Sequence, residues 1–221
     1  MKFGIISDTH DLLRPEVESA LAGVDVIFHA GDISSRKVLD RLQAMAPVHA
    51  VRGNADKEWA EDLPVFLDFE LDGLRFYMTH KKKDLPEDLS PYDIVIVGHS
   101  HQYAEKWLTS VQKKRTLIIN PGSCGPRRFY QPVTMAVLTV NEDGWTIQRM
   151  DIPSSSTSPK IDPGDIRKQI EVCVKEIQKG HGPGEIAKKY RMDPALAEQI
   201  VRLYVTHPGV TVDGIMTKMG L

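Results

Sequence analysis

With 221 residues, 41% hydrophobic and 26% charged, the chain is long enough for one sizeable core, or a core plus a small appendage. A formal net charge of −2 excludes a global polycation of the kind that binds nucleic acid in bulk. Two distant cysteines, Cys124 and Cys173, exclude a disulfide framework and suit a reducing compartment. No apolar run approaches the roughly 20 residues of a membrane span. The first residues turn acidic too soon for a signal peptide, so a cytoplasmic protein with no membrane partner is expected.

Lys2 to Ser7 reads as a short buried strand ending at Asp8-Thr9-His10. Arg14 to Gly23 reads as a helix, with Pro15 in its first turn and Val17, Ala20 and Leu21 at helical spacing. Asp25 to Ala30 is a second strand, ending at Gly31-Asp32. Ser35 suits the N-cap of a helix from Arg36 to Met45, and Pro47 to Val51 is a third strand, ending at Gly53-Asn54-Ala55-Asp56. Strand, polar loop and helix thus recur, which implies parallel strands whose carboxyl ends carry the site. Beyond that the period changes. Val65 to Glu70 and Leu74 to Thr79 flank an Asp72-Gly73 turn, followed by His80. Asp93-Ile94-Val95-Ile96-Val97 is a buried strand that opens into Gly98-His99-Ser100-His101. Tyr103 to Thr109 and Thr116 to Ile119 form a hairpin around Gln112-Lys113-Lys114, Asn120-Pro121-Gly122-Ser123 is a turn, and Val133 to Val140 with Trp145 to Met150 form a last hairpin. A second, largely antiparallel set of strands packed on the first gives a layered α/β sandwich.

The strand ends deliver Asp8, His10, Asp32, Asn54, His80, His99 and His101. Singly, each has a bland explanation: an Asp after a strand caps a helix, and a lone His is a satisfied polar residue. Jointly, a mixed His/Asp set suits borderline and hard divalent ions. Seven ligands exceed one tetrahedral site, so two ions sharing a bridging carboxylate is the simplest arrangement, with Asp32, on a central strand, as the bridge. His99 and His101, two apart, are expected to point the same way if their segment is extended. His29 and His49 lie inside strands and read as core or sheet-face residues.

Ser7-Asp8-Thr9-His10, Gly31-Asp32, Gly53-Asn54-Ala55-Asp56, Thr79-His80, Gly98-His99-Ser100-His101 and Asn120-Pro121-Gly122-Ser123 together resemble the calcineurin-like metallophosphoesterase superfamily. Within it the chain looks like the small YfcE-type phosphodiesterases, which are related to vacuolar sorting protein 29. The resemblance implies a four-layer αββα sandwich over residues 1–152. It also implies a first metal on Asp8, His10 and His101, a second on Asn54, His80 and His99, and Asp32 between them. The catalytic centre would draw on Asp32, Asn54 and His99, with two divalent ions, Mn first and Fe, Zn, Ni or Mg as alternatives. The implied activity is phosphodiester hydrolysis by an activated water attacking in line, with no protein nucleophile. Two departures count. Many members carry a histidine where this chain has Ala55, and Asp56 only accepts when ionised, which leaves the leaving-group acid unassigned. Related chains also often continue Gly-His after His80, where this one reads Lys81-Lys82-Lys83. Lys82, Lys83 and Arg127 are candidate phosphate contacts, against a solvated loop and a surface ion pair as the plainer alternatives.

Residues 153–164 are a linker by composition, and 165–221 read as an all-α extension. Its expected helices are Asp165 to Lys179, Pro183 to Tyr190, Ala195 to Val205 and Val210 to Met219. The two middle ones resemble a helix-turn-helix. Ten basic against eight acidic residues from 160 onward leave it near neutral. A homo-oligomeric contact, as a dimer or tetramer, is therefore favoured over nucleic acid. The alternatives to a hydrolase acting on a phosphate ester are a non-catalytic metal-binding scaffold and a DNA-binding regulator.

Overall fold

The computed structural model describes residues 1–109, 115–126, 131–153 and 163–219. β1 (Lys2–Ile6), β2 (Val26–His29) and β3 (Val48–Ala50) are parallel neighbours. They are connected by α1 (Pro15–Leu21) and α2 (Arg36–Gln43). Pro15 opens α1, and Ser35 Oγ accepts from Val38 N at 3.4 Å to cap α2, as their sequence positions predict. β4 (Phe66–Leu71), β5 (Leu74–Thr79), β6 (Ile94–Ile96), β7 (Tyr103–Thr109) and β8 (Arg115–Pro121) make a second sheet in the order β4-β5-β6-β8-β7. β9 (Thr134–Asn141) and β10 (Gly144–Asp151) complete the strands.

Three expectations need correction. The second sheet is mixed rather than largely antiparallel, because β6 pairs in parallel with both β5 and β8. The β9–β10 hairpin joins the first sheet, with β9 antiparallel to β1, and extends that sheet to the order β10-β9-β1-β2-β3. In addition, Asn120 and Pro121 are not in a turn: they finish β8, paired with Ala104 and Tyr103. The Gln112–Lys114 turn lies outside the described residues.

Period-two alternation assigns the side chains to layers. Phe3, Ile5 and Phe28 from the first sheet meet Phe76, Ile94, Ile96, Leu117 and Ile119 from the second in a fully buried cluster. The residues between them, Ile6 and Ile27, face the other way and pack with Val17, Leu21, Leu39 and Leu42 of the two helices. Likewise Val95 and Ile118 turn outward, to Tyr77, Tyr92 and Val97. Both sheets are thereby fixed in register, and so are the loops at their ends.

The chain divides into two compact units, and α3–α6 belong to the second. These are α3 (Pro163–Gln178), α4 (Pro183–Tyr190), α5 (Pro194–Thr206) and α6 (Val212–Met219). Ile166, Ile170 and Cys173, one stripe of α3, pack with Ile186, Leu196, Ile200 and Ile215. Residues 154–162 of the expected linker lie outside the described residues. No described helix is long and apolar enough to cross a membrane. Glu176 is only 2% exposed, just beneath a cover of Lys179 and Lys189, each 2.8 Å away, with His181 Nδ1 at the same distance. The hydrogen bonds from Lys179 and then Lys189 hold its carboxyl down at about 2.

Phe28 stacks on Phe3 at 5.3 Å and meets Phe76 at 5.2 Å. Phe28→Ala is expected to cost about 3–5 kcal/mol, read as a lower urea midpoint at unchanged slope. Because the folded carboxyl of Glu176 titrates below its ordinary value of 4.5, its contribution is complete above that pH and is lost as pH falls through about 2. Glu176→Gln should therefore lower hydrogen-exchange protection in α3 and α4 at neutral pH, with wild type and variant converging towards pH 2.

Candidate metal centre

The loops leaving β1, β2 and β6 turn through left-handed backbone at five ligand-type residues. Their φ values are 56° at Asp8, 44° at His10, 57° at Asp32, 71° at His99 and 60° at His101. Such residues are uncommon, Asp and His adopt the conformation more readily than most, and strained cases cluster at functional sites. The turns are tied across strands by Asp8 N to Gly31 O and His10 N to Asp32 O, both 3.0 Å, and by Gly98 N to His80 O at 3.0 Å. Two glycines permit the close approach. A Cβ on Gly53 would collide with Asp32, and one on Gly98 with the Ser7 hydroxyl.

Two groups result, each able to hold a metal ion. In the first, His101 Nε2 lies 3.1 Å from Asp8 Oδ1 and 3.2 Å from His10 Nε2. Asp8 Oδ2 is engaged by Ser7 Oγ at 2.6 Å and His99 N at 3.1 Å, whereas the buried Oδ1 has no partner in hydrogen-bond geometry. In the second, His80 Nε2 lies 3.3 Å from Asp32 Oδ2, with the His99 ring edge-on to His80 at 5.1 Å. His80 Nδ1 is 2.7 Å from Ala30 O, and since a carbonyl only accepts, Nδ1 carries the proton. In the neutral ring that leaves the buried Nε2, which makes no hydrogen bond, as a lone pair aimed at the group. Asp32 Oδ1 accepts from Ala55 N at 2.7 Å, and Oδ2, besides facing His80, is 3.8 Å from His10 Nε2. Asp32 therefore faces both groups.

The electrostatics keep both buried carboxyls ionised. Burial pushes the Asp8 carboxyl up, but His101, Ser7 and His80 outweigh it and hold it below the usual carboxylate range. Asp32 is likewise lowered: burial opposes, and His80, Ala55 N–H and His10 prevail. His80 is lowered by burial yet raised on balance by Asp32 and Asp8. Two orphaned, buried ligand atoms, Asp8 Oδ1 and His80 Nε2, in a set of carboxylates and imidazoles fit divalent cations.

Of the expected ligands, the structure brings Asp8, His10 and His101 into one group and Asp32, His80 and His99 into the other. The expectation that His99 and His101 point the same way fails. Both are left-handed rather than extended, so the turn sends them to different groups. Asn54 lies between Gly53 and Ala55, whose N–H groups are held by Asp56 and Asp32, and its exposed side chain makes no hydrogen bond among the described residues. Lys82 lines a cavity beside His99, Lys83 is exposed, and Arg127 lies outside the described residues.

Sequence reasoning missed the residues that hold these loops. Asp56 accepts from Asp32 N at 2.9 Å, Ser34 N at 2.7 Å and Gly53 N at 2.8 Å, which locks the β2 and β3 loops together. His29 Nδ1 accepts from Gly31 N at 3.2 Å, so Nε2 carries the proton and donates to Thr9 Oγ1 at 3.0 Å. Burial lowers His29 to about 4, which keeps it neutral. Asn120 Nδ2 donates to Gly98 O at 2.7 Å and Ser100 Oγ at 3.0 Å, and Ser123 Oγ donates to Asp8 O at 2.9 Å. The Asn120-Pro121-Gly122-Ser123 motif was the available signal: its polar ends clamp two ligand loops.

Residues 1–143 match the family described as the calcineurin-like phosphoesterase superfamily domain. "Phosphodiesterase MJ0936" of Methanocaldococcus jannaschii is 33% identical over 146 residues, covering 56% of this chain and 84% of the relative. A "Probable metallophosphoesterase" of Methanothermobacter thermautotrophicus is 32% identical over 151 residues, covering 62% of this chain and 85% of the relative. The fold is shared with Vps29 of Entamoeba histolytica, crystallised with zinc, at a TM-score of 0.51 and 20% identity. That alignment covers 68% of this chain and 99% of the neighbour.

Removing the Asn120 clamp frees the Gly98–His101 turn without touching a ligand. Asn120→Ala is expected to weaken Mn²⁺ binding about 10- to 100-fold, measured by calorimetric titration.

Proposed function

This chain belongs to the calcineurin-like phosphoesterase superfamily, and we propose that it is a metal-dependent phosphodiesterase with a dinuclear centre. Asp8, His10 and His101 would hold one ion, Asn54, His80 and His99 the other, and Asp32 would serve both. The observation that carries this reading is the position of Asp32 Oδ2, 3.3 Å from His80 Nε2 and 3.8 Å from His10 Nε2, between the two groups. The mixed donor set suits manganese first, with iron, zinc, nickel and magnesium as alternatives.

When bound, the two cations supply Lewis acidity, polarising the phosphoryl oxygens and lowering the pKa of water toward neutrality. The chain's own residues hold and orient. Asp8 and Asp32 keep one oxygen each on N–H or O–H donors, which fixes the direction of the other. His80 keeps its proton on Nδ1 through Ala30 O. No thiolate competes as nucleophile, because burial pushes Cys124 up to about 12 and Cys173 to about 11. Leaving-group departure has no help from the Gly53–Asp56 turn. Ala55 offers no proton, and both oxygens of Asp56 are spent on backbone N–H groups. The near-neutral helical unit suits protein contact, such as homo-oligomer formation, better than nucleic acid.

Hydrolysis of bis-p-nitrophenyl phosphate with Mn²⁺ titrated into EDTA-treated protein tests the reading. Saturable, metal-dependent turnover is expected, and Asp32→Ala should fall to the level of the metal-free wild type. Because a general acid contributes about 10²–10⁴-fold, the same enzyme should prefer aryl over alkyl leaving groups by at least the lower figure. A wild type with no metal-dependent turnover would overturn the enzyme.

A further inference from the structure

A cavity of about 280 Å³ opens beside His99, the outermost member of the second ligand group. It is built on the outward face of the second sheet. Ile118 turns outward from β8, Val97 continues β6, and Ala104 and Lys106 share the face of β7 that also carries Leu108. Side chains that alternate on a sheet give a flat floor, and this one is apolar. Lys82 and Lys106 stand on its walls. Among the described residues neither ammonium is in an ion pair, and no carboxylate lines the cavity. Asn120 and Ser100 also line it, already bonded to each other at 3.0 Å.

We propose that this cavity is a specificity subsite that takes one nucleotide arm of a phosphodiester, the scissile phosphate lying at the adjacent ligand groups. Each half of that chemistry follows from the lining. A bare inorganic anion makes no use of an apolar floor, and a neutral alkyl arm makes no use of the two ammonium groups at the cavity's rim. A planar base on the floor with a further phosphate at Lys82 and Lys106 satisfies both, the lysines acting as point charges. The volume lies just below the usual range of small-molecule pockets, roughly 300–1,000 Å³, which suits a single nucleotide rather than a strand. His99 is common to the cavity and the second group, so an arm seated here reaches the reaction centre without a further loop. The placement of the scissile phosphate rests on the phosphodiesterase reading, whereas the cavity's capacity to bind does not.

The test uses the full chain and adenosine 5′-monophosphate as probe. Calorimetric titration of EDTA-treated wild-type protein should show saturable binding of the nucleotide. Lys106→Ala should weaken it by about tenfold or more, the scale of one charge-assisted contact. Ala104→Trp, an exposed position whose new ring fills the floor, should do the same. Adenosine and inorganic phosphate should each bind more weakly than the nucleotide. With manganese supplied, Ala104→Trp should raise the KM for a dinucleotide relative to that for bis-p-nitrophenyl phosphate. Absence of nucleotide binding to wild type, or an affinity unmoved by both Lys106→Ala and Ala104→Trp, overturns the subsite even if diester hydrolysis is found. Binding that depends on Lys106 in a protein that hydrolyses no diester supports the subsite and removes the phosphodiesterase reading instead.

Discussion

Two buried carboxylates are the constraint from which the first unit of this chain follows. Asp8 and Asp32 are almost wholly removed from solvent, a state that is costly for an anion unless charge or hydrogen bonds compensate it. Compensation arrives at two levels. Backbone N–H and hydroxyl donors engage one oxygen of each, and imidazoles crowd the other. The loops must therefore bend sharply enough to bring the ends of β1, β2, β5 and β6 to one place. That requirement explains the left-handed Asp and His residues, the Cβ-free approach at Gly53 and Gly98, and the clamps from Asp56, His29 and Asn120.

Most of this architecture is legible in the amino-acid order because its signals are local. Ser35 caps the helix that its position predicts, and the continuous apolar runs of β6 and β8 mark them as buried strands. The strand-end Asp and His residues can be collected before any geometry is known. What could not be read is pairing between distant strands. The β9–β10 hairpin has the same alternating pattern whichever sheet it joins, and only the contact with β1 decides it. The same holds for the direction of β6. A short apolar run carries no mark of parallel or antiparallel neighbours.

At the site, residue types were legible and conformations were not. His99 and His101 sit two apart whether the turn is extended or left-handed, but their targets differ completely between the two. Asp56, which only accepts when ionised, left the leaving-group acid unassigned, and its three N–H partners show that its chemistry is structural. His29 looked like an ordinary sheet histidine. Its tautomer, fixed by Gly31 N, makes it a brace between the β1 and β2 loops. For Asp56 and His29 the deciding fact is a hydrogen bond to a group distant in sequence, Asp32 N and Thr9 Oγ1, which composition and spacing do not encode.

β6 is three residues long and lies between two parallel neighbours. Its inward residues Ile94 and Ile96 fill the inter-sheet core, its outward Val95 and the following Val97 face the opposite layer, and its end releases the Gly98–His101 turn. Because side chains alternate with every residue, a single insertion or deletion here exchanges the core and surface sets and rotates both histidines away from their groups. The hairpin turns elsewhere can drift in length over evolutionary time. Residues 94–101 cannot: this short stretch is a reading frame of its own, open to substitution but closed to any change in length.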